Sequence, residues 1–202
     1  IAYLIDVVDS PYYRHPVLDS SLYHMRARDI AQGDLLARSE SFRMPLYDYF
    51  LGGLYALFRC RIEAALLVQV LLGAVICGLI YKIASNLFGK LAGVSAGLGF
   101  ALYRMAIYSD AEILPTTLFL FLLLSAVLLI LRFMDSGKVR DGFIAGLLLG
   151  LAFLTRGEAL LYIALIVAGV LLLGGRKALK GTLTMIGAVL ILVLLLGLRN
   201  YI

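Results

Sequence analysis

The fold is decided by the residues YSDAEILPTT at positions 108–117, which place two acids between two long apolar runs. The run before them covers residues 91–107, and the run after them covers 113–134. A membrane helix needs about 20 mainly apolar residues to cross about 30 Å of hydrocarbon, and both runs approach that length. We therefore expect Asp110 and Glu112 at one membrane face, where acids between spans are candidates for function.

The composition indicates an integral membrane protein. Of the 202 residues, 62% are hydrophobic and 15% are charged, and the mean hydropathy is +0.98, whereas a soluble domain averages about 45–50% apolar and about 25% charged residues. The net charge of +5 is explained by basic residues that separate and orient spans, so no nucleic-acid partner is expected. Because the chain begins at Ile1 and ends just after an apolar run, we expect it to be a fragment of a longer protein.

Six apolar runs predict an all-α polytopic protein with about six transmembrane helices. These would form a membrane domain at 63–202, after an extracytoplasmic domain at 1–62, with spans near 64–88, 91–108, 113–134, 142–155, 159–174 and 181–198. A single helix over 142–174 would be about 50 Å long, so a hairpin with short arms is favoured there. Such arms would hold Arg156 and Glu158 at or slightly below the membrane surface.

Two further patterns concern the packing and the orientation of the spans. Glycines recur every fourth residue on one helix face and permit close helix contact; they are Gly142, Gly146 and Gly150. The lysines all fall on the opposite side from the acidic bend, and by the positive-inside rule that side is cytoplasmic; they are Lys82, Lys90, Lys138, Lys177 and Lys180. The acids at 110–112, the Arg156–Glu158 connection and Arg199 would then share the extracytoplasmic face with the N-terminal segment.

Residues 6–62 differ from the rest, with seven arginines, no lysine and three of the four prolines. They predict a polar segment outside the bilayer that contains short helices. Asp19 or Ser20 is expected to cap a helix that ends near Gly33. A second helix would run from Pro45 to Phe58. Its aromatic residues are expected at the membrane interface; they are Tyr47, Tyr49, Phe50, Tyr55 and Phe58.

Several stretches, in this order and spacing, resemble the membrane glycosyltransferases of the GT-C type. They are YYRHPVLD (12–19), ARDIAQGD (27–34), PLYDYFL (45–51), LVQVLLG (67–73), DAEILPTTLF (110–119), LTRGE (154–158) and RNY (199–201). They cover nearly the whole chain and are most similar to the family 39-like branch, which is related to protein O-mannosyltransferases and to the aminoarabinose transferases of lipid A. The resemblance implies a sugar donor carried on a polyprenyl phosphate and an extracytoplasmic acceptor, which could be a protein, a lipid or a glycan. It also implies a location in the cytoplasmic (inner) membrane with the active face outside.

The resemblance places the catalytic acid at Asp19 and a second acidic position at Asp110 and Glu112, of which Glu112 is the better match. A carboxylate can take the proton of the acceptor, and this is the role expected of Asp19; the alternative is that Asp19 only caps its helix. Glu112 could orient the acceptor, bind a metal with Asp110 or tune Asp19. Its alternative is a solvated loop acid at the membrane edge.

Three arginines are candidates to bind the phosphate of the donor, since a guanidinium can hold phosphate through two hydrogen bonds. Arg156 could instead pair with Glu158. Arg104 could be an interfacial anchor or a partner of Asp110 or Glu112. Arg14 is the third candidate.

A divalent metal is possible, although no cofactor is certain. The weak candidates for it are His15 and His24, which flank Asp19; their alternative is ordinary polar contacts.

The sequence contains no Walker-type glycine loop, which fits a lipid-linked donor. Two other classes of protein stay open. A transporter or flippase of lipid-linked sugars would carry charges at mid-depth along its spans, whereas the charges here collect at span ends. A non-catalytic membrane scaffold would need no cluster of acids and arginines on one face, and Asp19 and Glu112 could then lie far apart.

Overall fold

The computed structural model describes residues 18–35 and 43–201, except for the side chains of 176, 177, 200 and 201. Its helices are α1 (Asp19–Ala31), α2 (Leu46–Phe58), α3 (Ile62–Phe88), α4 (Lys90–Ala101), α5 (Arg104–Asp110), α6 (Thr116–Ser136), α7 (Val139–Thr155) and α8 (Ala159–Tyr201). No strand occurs in the described ranges, so the predicted all-α class is confirmed. The chain divides into two compact units, Ile1–Leu118 and Phe119–Ile202.

Three helices are long and apolar enough to cross a membrane, which makes the chain an integral membrane protein. They are α3, α6 and the second arm of α8, Ala178–Arg199. A fourth span results if α4 and α5 count as one helix bent by 58°. This count is below the predicted six, because α7 has only 17 residues and the first arm of α8, Ala159–Gly175, is also shorter than a full span.

The predicted span at 91–108 is helical, but it is interrupted. Tyr103 has extended backbone angles (φ −72°, ψ 109°) between α4 and α5. No proline stands there, so the sequence carries no obvious signal for the break. Because of this change of direction, the last residues of the predicted span, including Asp110, do not lie on the axis of α4.

Helices α1 and α2 pack closely in the first unit. A Cβ added to Gly52 of α2 would lie 2.6 Å from Cγ2 of Ile30 in α1, and the rings of Tyr23 and Tyr47 meet edge to face at 4.9 Å. Tyr47 and Tyr55 are fully buried, so these two rings pack inside the protein and not against lipid, and the place of α2 at the membrane interface stays a prediction. Their hydroxyls have partners inside the protein, which makes burial favourable for these rings.

A buried ion pair joins the same two helices, and its loss is expected to destabilise the protein. Nη1 of Arg26 lies 2.8 Å from Oδ2 of Asp48, with side chains only 13% and 5% exposed. Arg26→Ala should lower the free energy of unfolding by about 3–5 kcal/mol, because it leaves the Asp48 charge buried without its arginine. Thermal unfolding in detergent measures the effect. Arg28→Ala, at an exposed position of α1, is the control, and equal melting temperatures of the two variants would contradict the prediction.

In the second unit, the glycine face of α7 makes the close helix contact that the sequence predicted, and its partner is the second arm of α8. A Cβ at Gly142 would lie 2.9 Å from the carbonyl oxygen of Gly181, and a Cβ at Gly146 would overlap the backbone of Met185. At Gly150 it would meet the side chain of Leu192. Because the contacts advance in the same direction along both helices, α7 and the second arm run parallel.

The first arm of α8 must therefore carry the chain back from the end of α7 to the level of Gly142. Helix α7 ends at Thr155, and α8 begins at Ala159, which confirms the predicted break between the fourth and fifth apolar runs. The reversal into the second arm occurs at Gly175, whose backbone (φ 55°, ψ −150°) lies outside the helical region. Glycine adopts this conformation without the steric cost that a Cβ would bring.

The close contact at Gly146 can be tested with a single methyl group. Gly146→Ala should lower the free energy of unfolding by about 1–3 kcal/mol, because the added carbon meets the fixed backbone of Met185 rather than a side chain that can move. Gly187→Ala is the matched control in the same unit, since nothing lies within 4 Å of a Cβ added there. Thermal unfolding compares the two, and a Gly146→Ala protein as stable as its control would refute the packing.

Candidate functional site

The acidic bend lies between α5 and α6, and Asp110 is the last residue of α5. Its carboxylate accepts a 2.6 Å hydrogen bond from Oγ1 of Thr117, in the first turn of α6. The same carboxylate lies against Gly73 of α3, where an added Cβ would overlap it. Asp110 is thus held between two helices, and glycine at position 73 provides the space for it.

The backbone of the bend is held by a side chain that the sequence did not single out, Gln69 of α3. Its Nε2 donates to the carbonyl oxygens of Glu112 at 2.6 Å and of Asp110 at 3.3 Å. Its Oε1 accepts from the hydroxyl of Tyr47 at 2.5 Å. Gln69 is buried. The signal that could have found it is a single amide among the apolar residues 64–80, because an unpaired polar group there is costly.

Glu112 meets the first turn of α1, although 92 residues separate the two in sequence. Oγ of Ser20 lies 3.4 Å from Oε2 of Glu112 and donates to it. The Glu112 side chain is half-buried. Burial raises the pKa of its carboxyl above the ordinary value, and the hydrogen bond from Ser20 opposes this only in part. The chain therefore brings the neighbourhood of Asp19 to the bend.

Asp19 is the first residue of α1, next to Ser20, and its side chain is 65% exposed. Nη2 of Arg43 donates to its Oδ1 at 2.6 Å. The residue at the N-cap position is Leu18, and no side-chain cap hydrogen bond occurs there, so the expectation that Asp19 or Ser20 caps the helix is wrong. Arg43 was not predicted, because nothing in the sequence pairs it with an acid 24 residues away.

The candidate metal ligands are not gathered in the described part of the chain. Nδ1 of His24 lies 2.7 Å from the hydroxyl of Tyr55, and its pKa is lowered by burial and by the charge of Arg28. These are the ordinary polar contacts that the sequence left as the alternative. Within residues 18–35 and 43–201, no three histidine, cysteine or acidic side chains come together as a metal site. His15 and Arg14 lie outside the described residues.

Two of the three arginines predicted to bind phosphate lie among the described residues, one in each unit. Arg104 is the exposed first residue of α5 in the first unit. Arg156 lies between α7 and α8 in the second unit, where Nη2 pairs with Oε1 of Glu158 at 3.0 Å. Its guanidinium also lies 5.9 Å from the centre of the Phe119 ring. The pair with Glu158 is the one that the sequence left as the alternative for Arg156, and binding of a donor phosphate stays a prediction for both arginines.

The site in the first unit thus combines two acids in different environments. Asp19 is exposed to an incoming molecule, whereas the pKa of the half-buried Glu112 is raised. Acids whose environments differ in this way are suited to separate roles in proton transfer.

Comparison with known proteins gives one finding. Residues 43–198 match the model of the family described as dolichyl-phosphate-mannose-protein mannosyltransferase. The match covers more than three quarters of the chain, from α2 to the second arm of α8, and contains Gln69, Asp110 and Glu112; α1 with Asp19 precedes it. No curated protein and no solved structure matches the chain.

Proposed function

The chain belongs to the dolichyl-phosphate-mannose-protein mannosyltransferase family, and on that premise we propose that it moves a sugar from a polyprenyl-phosphate donor to an extracytoplasmic acceptor. The family supports a membrane glycosyltransferase of the GT-C type. The donor, the acceptor and the face of the membrane are part of the proposal. The family description makes mannose the first sugar to test.

In the proposed reaction, a hydroxyl oxygen of the acceptor attacks C1 of the sugar. The bond between C1 and the phosphate oxygen breaks, and the lipid phosphate leaves with the electron pair. The carboxylate of Asp19 takes the proton of the acceptor hydroxyl. Glu112, whose carboxylate contacts Ser20 beside Asp19, orients the acceptor.

The observation that carries the proposal is the contact between Ser20 and Glu112. It connects the turn that contains Asp19 with the acid that the resemblance marked as the second catalytic position. A non-catalytic scaffold would give no reason for the residue beside Asp19 to contact Glu112 from a distant segment. The contact therefore favours the transferase over the scaffold.

The test uses membranes that contain the full-length protein. They are incubated with a panel of radiolabelled polyprenyl-phosphate sugars, starting with mannose, and the label is followed from the lipid fraction into protein, lipid or glycan products. We expect transfer from at least one donor, and none in membranes with the Asp19→Asn, Glu112→Gln double variant. Equal labelling by the two membranes, or no transfer from any donor, would overturn the proposal.

A further inference from the structure

We propose that Gln69 is a positioning residue, whose buried amide fixes the backbone of the acidic bend and so the direction in which Glu112 presents its carboxyl. The inference rests on the proposed transferase function and deepens it. Gln69 would touch neither donor nor acceptor, and it would act through Glu112.

The hydrogen bonds of Gln69 leave its amide a single orientation. The carbonyl oxygens of Asp110 and Glu112 can only accept, so Nε2 must face both of them. Oε1 then faces the hydroxyl of Tyr47, which donates to it. Turning the amide over would lose both hydrogen bonds to the carbonyl oxygens and place Oε1 against two other acceptors, with only the Tyr47 hydroxyl still able to pair with the amide. Tyr47 and Gln69 are both buried, so water does not reach the amide to replace them.

Glu112 depends on this support more than Asp110 does. The carboxylate of Asp110 has its own 2.6 Å hydrogen bond from Thr117. The bond that Glu112 accepts from Ser20 is long, at 3.4 Å, so its side chain is held weakly. The position of Glu112 is therefore set mainly by its backbone, and the shortest hydrogen bond to that backbone from a side chain comes from Gln69.

The bend also has apolar support that does not involve Gln69. Ala111 and Ile113 are buried on either side of Glu112. Removing the amide should therefore displace the bend without unfolding it. A displacement of about 1 Å in a catalytic group is enough to lower a rate by up to about 100-fold.

The first test replaces the amide by an apolar chain of similar length. Gln69→Met in the full-length protein should lower kcat by up to about 100-fold, with KM for the donor within about twofold of wild type, since the loss falls on the chemical step. Leu67→Met, at an exposed position of the same helix, is the control and should behave as wild type. If Gln69→Met disrupts folding, Tyr47→Phe gives a milder test, because it removes only the hydrogen bond that orients Oε1.

A second variant separates positioning from simple packing. In Gln69→Glu, an ionised carboxylate would face two carbonyl oxygens, and only the protonated acid could donate to one of them. The titratable groups around position 69 are Tyr47 from α2 and Asp110 and Glu112 from the bend. We expect the activity of Gln69→Glu, relative to wild type, to increase as the pH falls. A ratio independent of pH would mean that Gln69 only fills space.

A measurement that needs no transfer completes the test. Amide hydrogen exchange of residues 108–116, followed by mass spectrometry on the protein in lipid nanodiscs, should be faster in Gln69→Met than in wild type. Unchanged exchange together with unchanged kcat would overturn the positioning role, even if the transferase is confirmed. If no donor supports transfer, the transferase fails, and faster exchange would still establish that Gln69 holds the bend.

Discussion

Replacing Asp19 by asparagine in the full-length protein should lower the rate of sugar transfer by about 10²–10⁴-fold, the usual contribution of a general base. Asparagine keeps the shape of the side chain, and its carbonyl oxygen can still accept from Arg43, but it cannot take the proton of the acceptor. Because the side chain of Asp19 is largely exposed, the variant should fold normally. The transfer rate is measured at equal protein content in membranes.

The matched control is Asp29→Asn, which makes the same change at an exposed position of the same helix. Its transfer rate should equal that of wild type. If Asp19→Asn retains full activity while the wild-type protein transfers sugar, Asp19 is not the base. The proton must then go to another group, and Glu112, which contacts Ser20, is the next candidate in the first unit.

Glu112→Gln should lower transfer by about 100-fold or more without loss of stability at neutral pH. Burial raises the pKa of this carboxyl, so the folded protein binds a proton that the unfolded chain has already released. The free energy of unfolding therefore falls as the pH rises from the ordinary carboxyl pKa of the unfolded chain through the raised pKa of the folded protein. Glutamine cannot ionise, so the free energy of unfolding of the variant should lose the part of its pH dependence that comes from this carboxyl. The variant should also lose activity, because it lacks the carboxylate.

Two measurements on Glu112→Gln check this result. Transfer is assayed near neutral pH, and thermal unfolding is recorded from about pH 4 to about pH 7. Glu63→Gln, at an exposed position in the first turn of α3, is the control for both. A variant that loses activity together with stability at neutral pH would show that Glu112 has a structural role instead.

Much of the fold could be predicted, because apolar runs bounded by charges define helices locally. The run 64–88 became α3, and the spacing of Gly142, Gly146 and Gly150 correctly predicted a close helix contact. The break at Tyr103 could not be predicted, because no proline stands near it. The burial of Tyr47 and Tyr55 was also missed, since an aromatic residue fits an interface and a protein core equally well until its neighbours are known.

The candidate site shows the same limit. The acids could be located from their places between spans and from the resemblance, but their partners come from distant parts of the chain. Ser20 reaches Glu112 from 92 residues away, and Gln69 reaches the bend from more than 40. Such contacts depend on how helices pack in three dimensions, and no local pattern encodes them.

The shortness of α7 and of the first arm of α8 has a consequence for the surrounding lipid. Seventeen residues of α7 extend over about 25 Å, which is less than the roughly 30 Å of a typical hydrocarbon layer. Where such short helices face lipid, acyl chains must compress to meet them, a hydrophobic mismatch that costs a fraction of a kcal/mol per Å. Beside such a helix the bilayer would be locally thinner, so the headgroups near Arg156 would lie deeper than in the undisturbed membrane.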